Sequence, residues 1–137
     1  LVPYLYHDGC QSHQSGIPMI RPLVMEYPKD PIAKIQNLSY MLGDALLISP
    51  GFDRDEYELY LPEGRWQDIE SKEVYEGMTF VHIENKAFAD GGTSLRVFQK
   101  EGTSIPLFAQ KEVLHVPAQL WKQEDLEFMT FQKKDVD

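Results

Sequence analysis

Apolar and polar positions along this chain change rhythm twice. From Tyr57 to Asp68 the order is Tyr-Glu-Leu-Tyr-Leu-Pro-Glu-Gly-Arg-Trp-Gln-Asp. Tyr57, Leu59 and Leu61 alternate with Glu56, Glu58 and Tyr60, the period of a half-buried strand. Pro62 has no amide hydrogen for a ladder and Gly64 accepts positive φ, so Pro62-Glu63-Gly64 reads as a turn. Trp66 then returns an apolar face toward Leu59 and Leu61, which predicts a β-hairpin. A hairpin alone is marginal in water and needs a second layer. Further strands are expected at 65–69, 78–84, 95–99, 105–109, 112–116 and 126–131, separated by Glu76-Gly77, Asp90-Gly91-Gly92 and Glu101-Gly102. Short strands at this spacing predict a β-sandwich or barrel.

Upstream the rhythm is different. Residues 1–15 read as a helix: Pro3 suits a first turn, Tyr4, Leu5, Asp8 and Ser12 recur at helical intervals, and Gly16 is a natural C-terminal stop. Met19 to Tyr27 is a nearly unbroken apolar run, the pattern of a strand buried on both faces in a parallel sheet. Pro28-Lys29-Asp30-Pro31 is a turn, and 32–39 suits one or two helical turns. Ala45-Leu46-Leu47-Ile48-Ser49-Pro50, reached through Tyr40-Met41-Leu42-Gly43-Asp44, is a second buried strand. A helix followed by a buried strand is half of an α/β repeat, and no further repeat follows, so this chain cannot close a barrel alone. The change from α/β to all-β falls near residue 38. Lys133 to Asp137 form a charged end.

Composition narrows the function classes. The 137 residues suit one ordinary domain, and 42% hydrophobic with 12% aromatic content is globular. A formal charge of −9 argues against a nucleic-acid surface, which needs clustered Lys and Arg. Cys10 is the single cysteine, so there is no intrachain disulfide framework. No apolar run approaches the ~18 residues of a membrane-crossing helix, and no signal peptide is visible. These features suit a cytoplasmic protein without a membrane or nucleic-acid partner. The opening Leu1-Val2-Pro3-Tyr4, apolar and without methionine, reads as the start of an excised piece of a longer chain.

Several polar and aromatic residues carry candidate chemistry. Asp53, Asp55 and Glu56, and Asp68, Glu70 and Glu73, are carboxylate clusters of the kind glycoside hydrolysis uses, but both read better as solvated surface. Asp53-x-Asp55 lacks the spacing of a calcium loop. His7, Cys10 and His13 share one side of the predicted helix, yet zinc would need a further ligand, and His82 and His115 fall on distant strands. Arg21, inside an apolar run, must be paired, and a structural salt bridge is the favoured use. Asp44 has the same favoured role, accepting backbone amides or an Arg. Trp66, Tyr57, Tyr60 and Tyr75 suit either a sugar-stacking platform or a core, and core is the commoner use. Asn37-Leu38-Ser39 is a glycosylation sequon, relevant in a secreted chain.

Four motifs in order carry a family resemblance. Pro3-Tyr4-Leu5-Tyr6 with His13 and Gly16-Ile17-Pro18-Met19-Ile20-Arg21-Pro22-Leu23 resembles the last helix and strand of the barrel in glycoside hydrolase family 31. Tyr40 to Pro50 resembles the segment leaving that barrel. Tyr60 to Trp66, with Tyr75-Glu76-Gly77, resembles the β-sandwich that follows, and Phe98 with Glu101 to Leu107 its later strand pair. The similarity spans about residues 3–110. It departs from the family pattern around Leu95 to Lys100, where Arg96 and Lys100 stand, and 85–94 is irregular.

The resemblance implies a mainly β fold: an antiparallel β-sandwich preceded by a helix and strand from the end of a (β/α)8 barrel. It implies a division into 1–38 (barrel end), 39–117 (sandwich) and 118–137 (last strand and tail, leading toward a further β domain). The implied parent is a retaining α-glucosidase or α-xylosidase acting on terminal α-linked sugars, with a slight lean to the α-xylosidase-like group around Tyr40 to Trp66. The family's catalytic aspartates and sugar-gripping Arg and His lie on earlier barrel strands, so no residue here is assigned a catalytic, cofactor or metal role. Arg21 and Asp44 match framework positions, and no cofactor is implied. The implied partners are the sugar substrate and the rest of the barrel. The alternative is a non-catalytic carbohydrate-binding or structural module. An isolated piece with an uncovered barrel-facing surface is expected to self-associate.

Overall fold

A computed structural model describes residues 1–51, 56–84, 95–109 and 118–133. It opens with helix α1 (Val2–Ser15), with proline in its first turn and Gly16 closing it at φ 78° with its amide donating to Ser12 O. Strand β1 (Ile20–Pro22) follows, then a one-turn helix α2 (Leu23–Glu26). The remaining strands are β2 (Tyr40–Leu42), β3 (Leu46–Ser49), β4 (Glu56–Leu61), β5 (Arg65–Asp68), β6 (Val74–Glu76), β7 (Thr79–Glu84), β8 (Arg96–Lys100), β9 (Thr103–Phe108) and β10 (Leu126–Phe131).

Six strands form one sheet in the order β1-β2-β3-β8-β5-β6, with every pairing antiparallel. Two ribbons, β4–β7 and β9–β10, complete the strand content of the described residues. The large sheet has a core on each face. On one side Leu47, Phe98, Trp66 and Met41 pack with Tyr57, Leu59, Leu61 and Ile83 of the β4–β7 ribbon. On the other, Leu46 and Ile48 pack with Tyr4 of α1 and Ile105 of β9. Burial on both faces is why β3 is apolar at consecutive positions rather than at alternate ones. The fold is thus the expected antiparallel sandwich preceded by a helix.

Several local expectations are corrected. Tyr57 to Asp68 is not a hairpin: β4 pairs with β7, and β5 with β6 and β8, so Pro62-Glu63-Gly64 is a corner where the chain changes sheets. The corner is held because the Trp66 indole donates to Pro62 O at 2.9 Å and Gly77 N donates to Gly64 O at 2.6 Å. A Cβ on Gly77 would collide with the Pro62 and Gly64 carbonyls, so only glycine fits there. Pro62 and Gly64 signal a sharp turn equally well in either arrangement.

The apolar run 19–27 is not a doubly buried parallel strand. Its three strand residues lie at the sheet edge, antiparallel to β2, and Pro22 hands over to α2 with φ −63° and ψ 153°. Residues 31–35 form successive turns, in which Ile32 N and Ala33 N donate to Asp30 Oδ1. Strand β6 escaped the sequence reading because three residues are too few for a period. The strand expected at 112–116 and the irregular 85–94 lie outside the described residues.

Candidate functional site

The chemistry-bearing residues that do meet lie where the N-terminal segment joins the sandwich. Arg21 is 7% exposed. Its Nε donates to Pro18 O at 2.6 Å, and its Nη1 donates to Glu26 Oε1 at 2.5 Å and Asp44 Oδ1 at 2.7 Å. Register explains the meeting: Arg21 stands opposite Met41, α2 carries Glu26 back beside it, and the turn between β2 and β3 supplies Asp44. Burial alone pulls the Arg21 guanidinium downward, but its hydrogen bonds to Asp44 and Glu26 outweigh this and raise it, so it stays charged. Arg21 has the salt bridge expected of it and Asp44 pairs with an arginine, but that they pair with each other, and with Glu26, was not legible in the sequence.

Helix α1 is pinned beside this cluster. The Tyr4 hydroxyl donates to Leu42 O at 2.5 Å and accepts from Ala45 N at 3.1 Å, so one side chain satisfies both sides of the β2–β3 turn. Gly43 in that turn has φ 67°, and a Cβ there would overlap Asp8 Oδ2 and Tyr4 Oη. Tyr4 and Asp8, four residues apart, face the turn together. Asp8 is 5% exposed and its Oδ2 has no hydrogen-bond partner. Burial raises its pKa, partly opposed by Tyr4, and Asp44 adds to the rise. Burial also pushes the Tyr4 hydroxyl well up, so it is un-ionised at neutral pH.

The other candidates are dispersed. Asp68 is not solvated surface: it is 2% exposed, accepts from Glu70 N and Ser71 N on Oδ1, and pairs with Arg96 Nη2 at 2.9 Å through Oδ2. Glu70 and Glu73 are exposed. Tyr57, Tyr60 and Trp66 lie in the core and Tyr75 is half-buried, which leaves no exposed stacking platform among these four. His7, Cys10 and His13 are exposed along α1 and form no converging ligand set. Asn37 is exposed, while Ser39 is buried. Asp53, Asp55 and His115 lie outside the described residues. Among the described residues the one group of convergent metal-binding side chains is Glu56, His82 and Glu84, on the outer face of the β4–β7 ribbon.

The decisive comparison is with known families. Residues 16–112 match the glycosyl hydrolase family 31 C-terminal domain. The chain belongs to glycoside hydrolase family 31. Neutral alpha-glucosidase AB from Homo sapiens is 36% identical over 110 residues, covering 77% of this chain and 11% of the relative. Isomaltosyltransferase from Sporosarcina globispora is 32% identical over 109 residues, covering 78% of this chain and 10% of the relative. Among solved structures, the family 31 dextranase of Flavobacterium johnsoniae complexed with glucose superposes with a TM-score of 0.75. It is 26% identical, over 96% of this chain and 16% of that one.

The chain therefore spans about a tenth of the length of the curated relatives it matches. The family 31 match includes Arg21, Glu26, Gly43 and Asp44. Tyr4 and Asp8 precede it, so the docking of α1 is a contribution of tertiary structure that the matched segment does not contain. No helix of the described residues is long and apolar enough to cross a membrane.

Proposed function

We propose that this chain is the barrel end and adjoining β-sandwich of a retaining α-glycosidase, and that it braces the last unit of the catalytic barrel. The observation that carries this is the two-sided character of the N-terminal segment. One side of α1 and β1 is fastened to the sandwich by Tyr4 and by the Arg21–Asp44–Glu26 cluster. Along the same N-terminal segment Leu1, Val2, Ile17, Ile20 and Met25 remain exposed. Such an apolar surface suits burial against the rest of a barrel, and exposes the isolated chain to self-association.

In this reading residues 1–38 are the barrel end, 39–117 the sandwich, and 118–137 return a strand to it, in a cytoplasmic enzyme. The parent cleaves or transfers terminal α-linked sugars, and similarity to neutral alpha-glucosidase AB and to isomaltosyltransferase favours glucosyl units. Retention would rest on two carboxylates about 5–5.5 Å apart, carried by barrel strands outside this chain. A carbohydrate-binding module is the weaker reading, because Tyr57, Tyr60 and Trp66 lie in the core.

The test is direct. The purified chain is assayed on p-nitrophenyl α-glucoside and α-xyloside, and no turnover is expected. The barrel portion encoded upstream of Leu1, inactive or aggregated alone, should gain α-glycosidase activity when co-expressed with this chain. Turnover by the chain alone, or a gene that begins at Leu1, would overturn the proposal.

A further inference from the structure

Helix α1 meets the β2–β3 turn through two oxygens that share a shortage of hydrogens. Tyr4 Oη and Asp8 Oδ2 both crowd the point where a Gly43 side chain would begin, so they are close neighbours. Tyr4 Oη lies 2.5 Å from Leu42 O, and a carbonyl has no hydrogen, so the single hydroxyl proton of Tyr4 stands between them. Ala45 N fills one lone pair of Tyr4 Oη at 3.1 Å and leaves the other free. Asp8 Oδ2 is buried without a donor. Ionised, it faces a hydroxyl oxygen whose proton is already committed. Protonated, it can donate to the free lone pair of Tyr4 Oη, and both oxygens are then satisfied.

No neighbouring donor is aimed at Asp8 Oδ2. The charged and titratable groups around it are Tyr4 and His7 on α1, Arg21 on β1 and Asp44 in the turn. Arg21 directs Nε and Nη1 to Pro18 O, Glu26 and Asp44. His7 is exposed, and consecutive side chains of a helix diverge. Asp44 has the same charge sign and favours the neutral acid. Strand β9, which packs against α1, reads Thr-Ser-Ile-Pro-Leu-Phe and carries no titratable group. Tyr40 of β2 borders the same apolar core. Lys122, Glu124 and Asp125 follow Trp121, which meets Tyr6 on the opposite side of the helix from Asp8.

We propose that Asp8 and Tyr4 form a proton-operated latch between α1 and the sandwich. With a proton on Asp8, Oδ2 donates to Tyr4 Oη and Tyr4 keeps its own proton on Leu42 O. When Asp8 ionises, its carboxylate competes with Leu42 O for that one proton. The turn then loses its hold on Tyr4, and the buried charge draws α1 toward water. Burial and Asp44 place the change above the pH at which a free aspartate ionises. The proton comes from solvent and returns to it. The latch is a property of this chain alone. What it governs, the grip of the sandwich on the barrel end, rests on the function proposed above.

The test uses the whole 137-residue chain. Carbon-detected NMR follows the Asp8 carboxyl against pH. Amide hydrogen exchange, corrected for its intrinsic pH dependence, follows Ala45 N, the donor to Tyr4 Oη. The Asp8 midpoint is expected above the ordinary 3.8. Ala45 protection should fall about tenfold per pH unit between the unfolded and folded midpoints of Asp8, then level off. Asp8→Asn, whose amide can donate to Tyr4 Oη at every pH, should abolish that fall and keep Ala45 protected. His7→Asn should leave the fall in place, which separates Asp8 from the adjacent histidine. An Asp8 midpoint at or below 3.8 would overturn the proposal. So would Ala45 protection that ignores pH, the same fall in Asp8→Asn, its disappearance in His7→Asn, or an Asp8→Asn chain less stable than the wild type at neutral pH. The co-expression assay above does not depend on any of these results, so failure of the latch and failure of the barrel brace are told apart.

Discussion

Gly43→Ala is the sharpest probe of how α1 is fastened to the sandwich. The glycine has φ 67°, and an alanine there pays a left-handed backbone cost of about 1–2 kcal/mol. Sterics add to this, because the new methyl would overlap Asp8 Oδ2 and Tyr4 Oη and lie 2.7 Å from Asp8 Cγ. For the methyl to fit, α1 must shift, and the Tyr4 hydroxyl then loses Leu42 O and Ala45 N. Leaving those two groups unsatisfied costs about 1–3 kcal/mol for the pair after water partly enters. The total is about 2–5 kcal/mol, a large share of the roughly 5–15 kcal/mol that holds an ordinary domain together.

Urea unfolding of the chain, followed by tryptophan fluorescence, measures this cost directly. Two companions separate the causes. Asparagine tolerates positive φ, so a purely backbone effect predicts that Gly43→Asn is mild, whereas the clash predicts a loss no smaller than alanine's. Asp8→Ala removes the nearest obstacle, so Asp8→Ala/Gly43→Ala should cost about 1 kcal/mol less than the sum of the single changes. A Gly43→Ala loss under about 1 kcal/mol, or strict additivity in the double variant, would refute the reasoning.

Three further outcomes are expected. Arg21→Met should destabilise the chain by about 1–3 kcal/mol in the same unfolding assay, at the low end for a broken buried pair, because Asp44 and part of Glu26 regain water. Asp8→Asn should stabilise the chain at neutral pH. Burial raises the folded-state pKa of Asp8, so its protonated form favours folding and that contribution fades as pH rises through the folded value. Melting curves of the two proteins should therefore converge at acid pH, and equal separation at every pH would count against it. An NMR titration of His82 should give a pKa above the ordinary 6.5, owing first to its hydrogen bond with Glu58. Its stabilising contribution is full below the unfolded pKa and lost as pH rises through the folded one, and Glu58→Gln should bring the midpoint back toward the ordinary value.

Much of this protein is legible in one dimension. Pro3 and Gly16 bracket a real helix because proline and a left-handed glycine act on their own backbone, whatever surrounds them. Alternation in Tyr57 to Leu61 marked a true strand, and the chain-order motifs around Arg21, Gly43-Asp44 and Tyr60 to Trp66 carried the family resemblance that the family 31 match then established. Which strand pairs with which is another matter. Pro62-Glu63-Gly64 dictates a sharp bend but not its partner, and the choice between a hairpin and a change of sheet was made by Gly77 packing against the bend from the next connection.

The same distinction separates charge from role. An arginine within an apolar run had to be paired, since an uncompensated buried charge is too costly, yet Glu26 became a partner only when α2 folded back. Asp68 looked like surface until Arg96, from a strand far along the chain, arrived beside it. Local rules act through a residue's own backbone and near neighbours, and so can be read along the chain. Salt bridges, sheet order and the Glu56–His82–Glu84 cluster arise from contacts between distant segments, whose geometry exists only after the layers have packed.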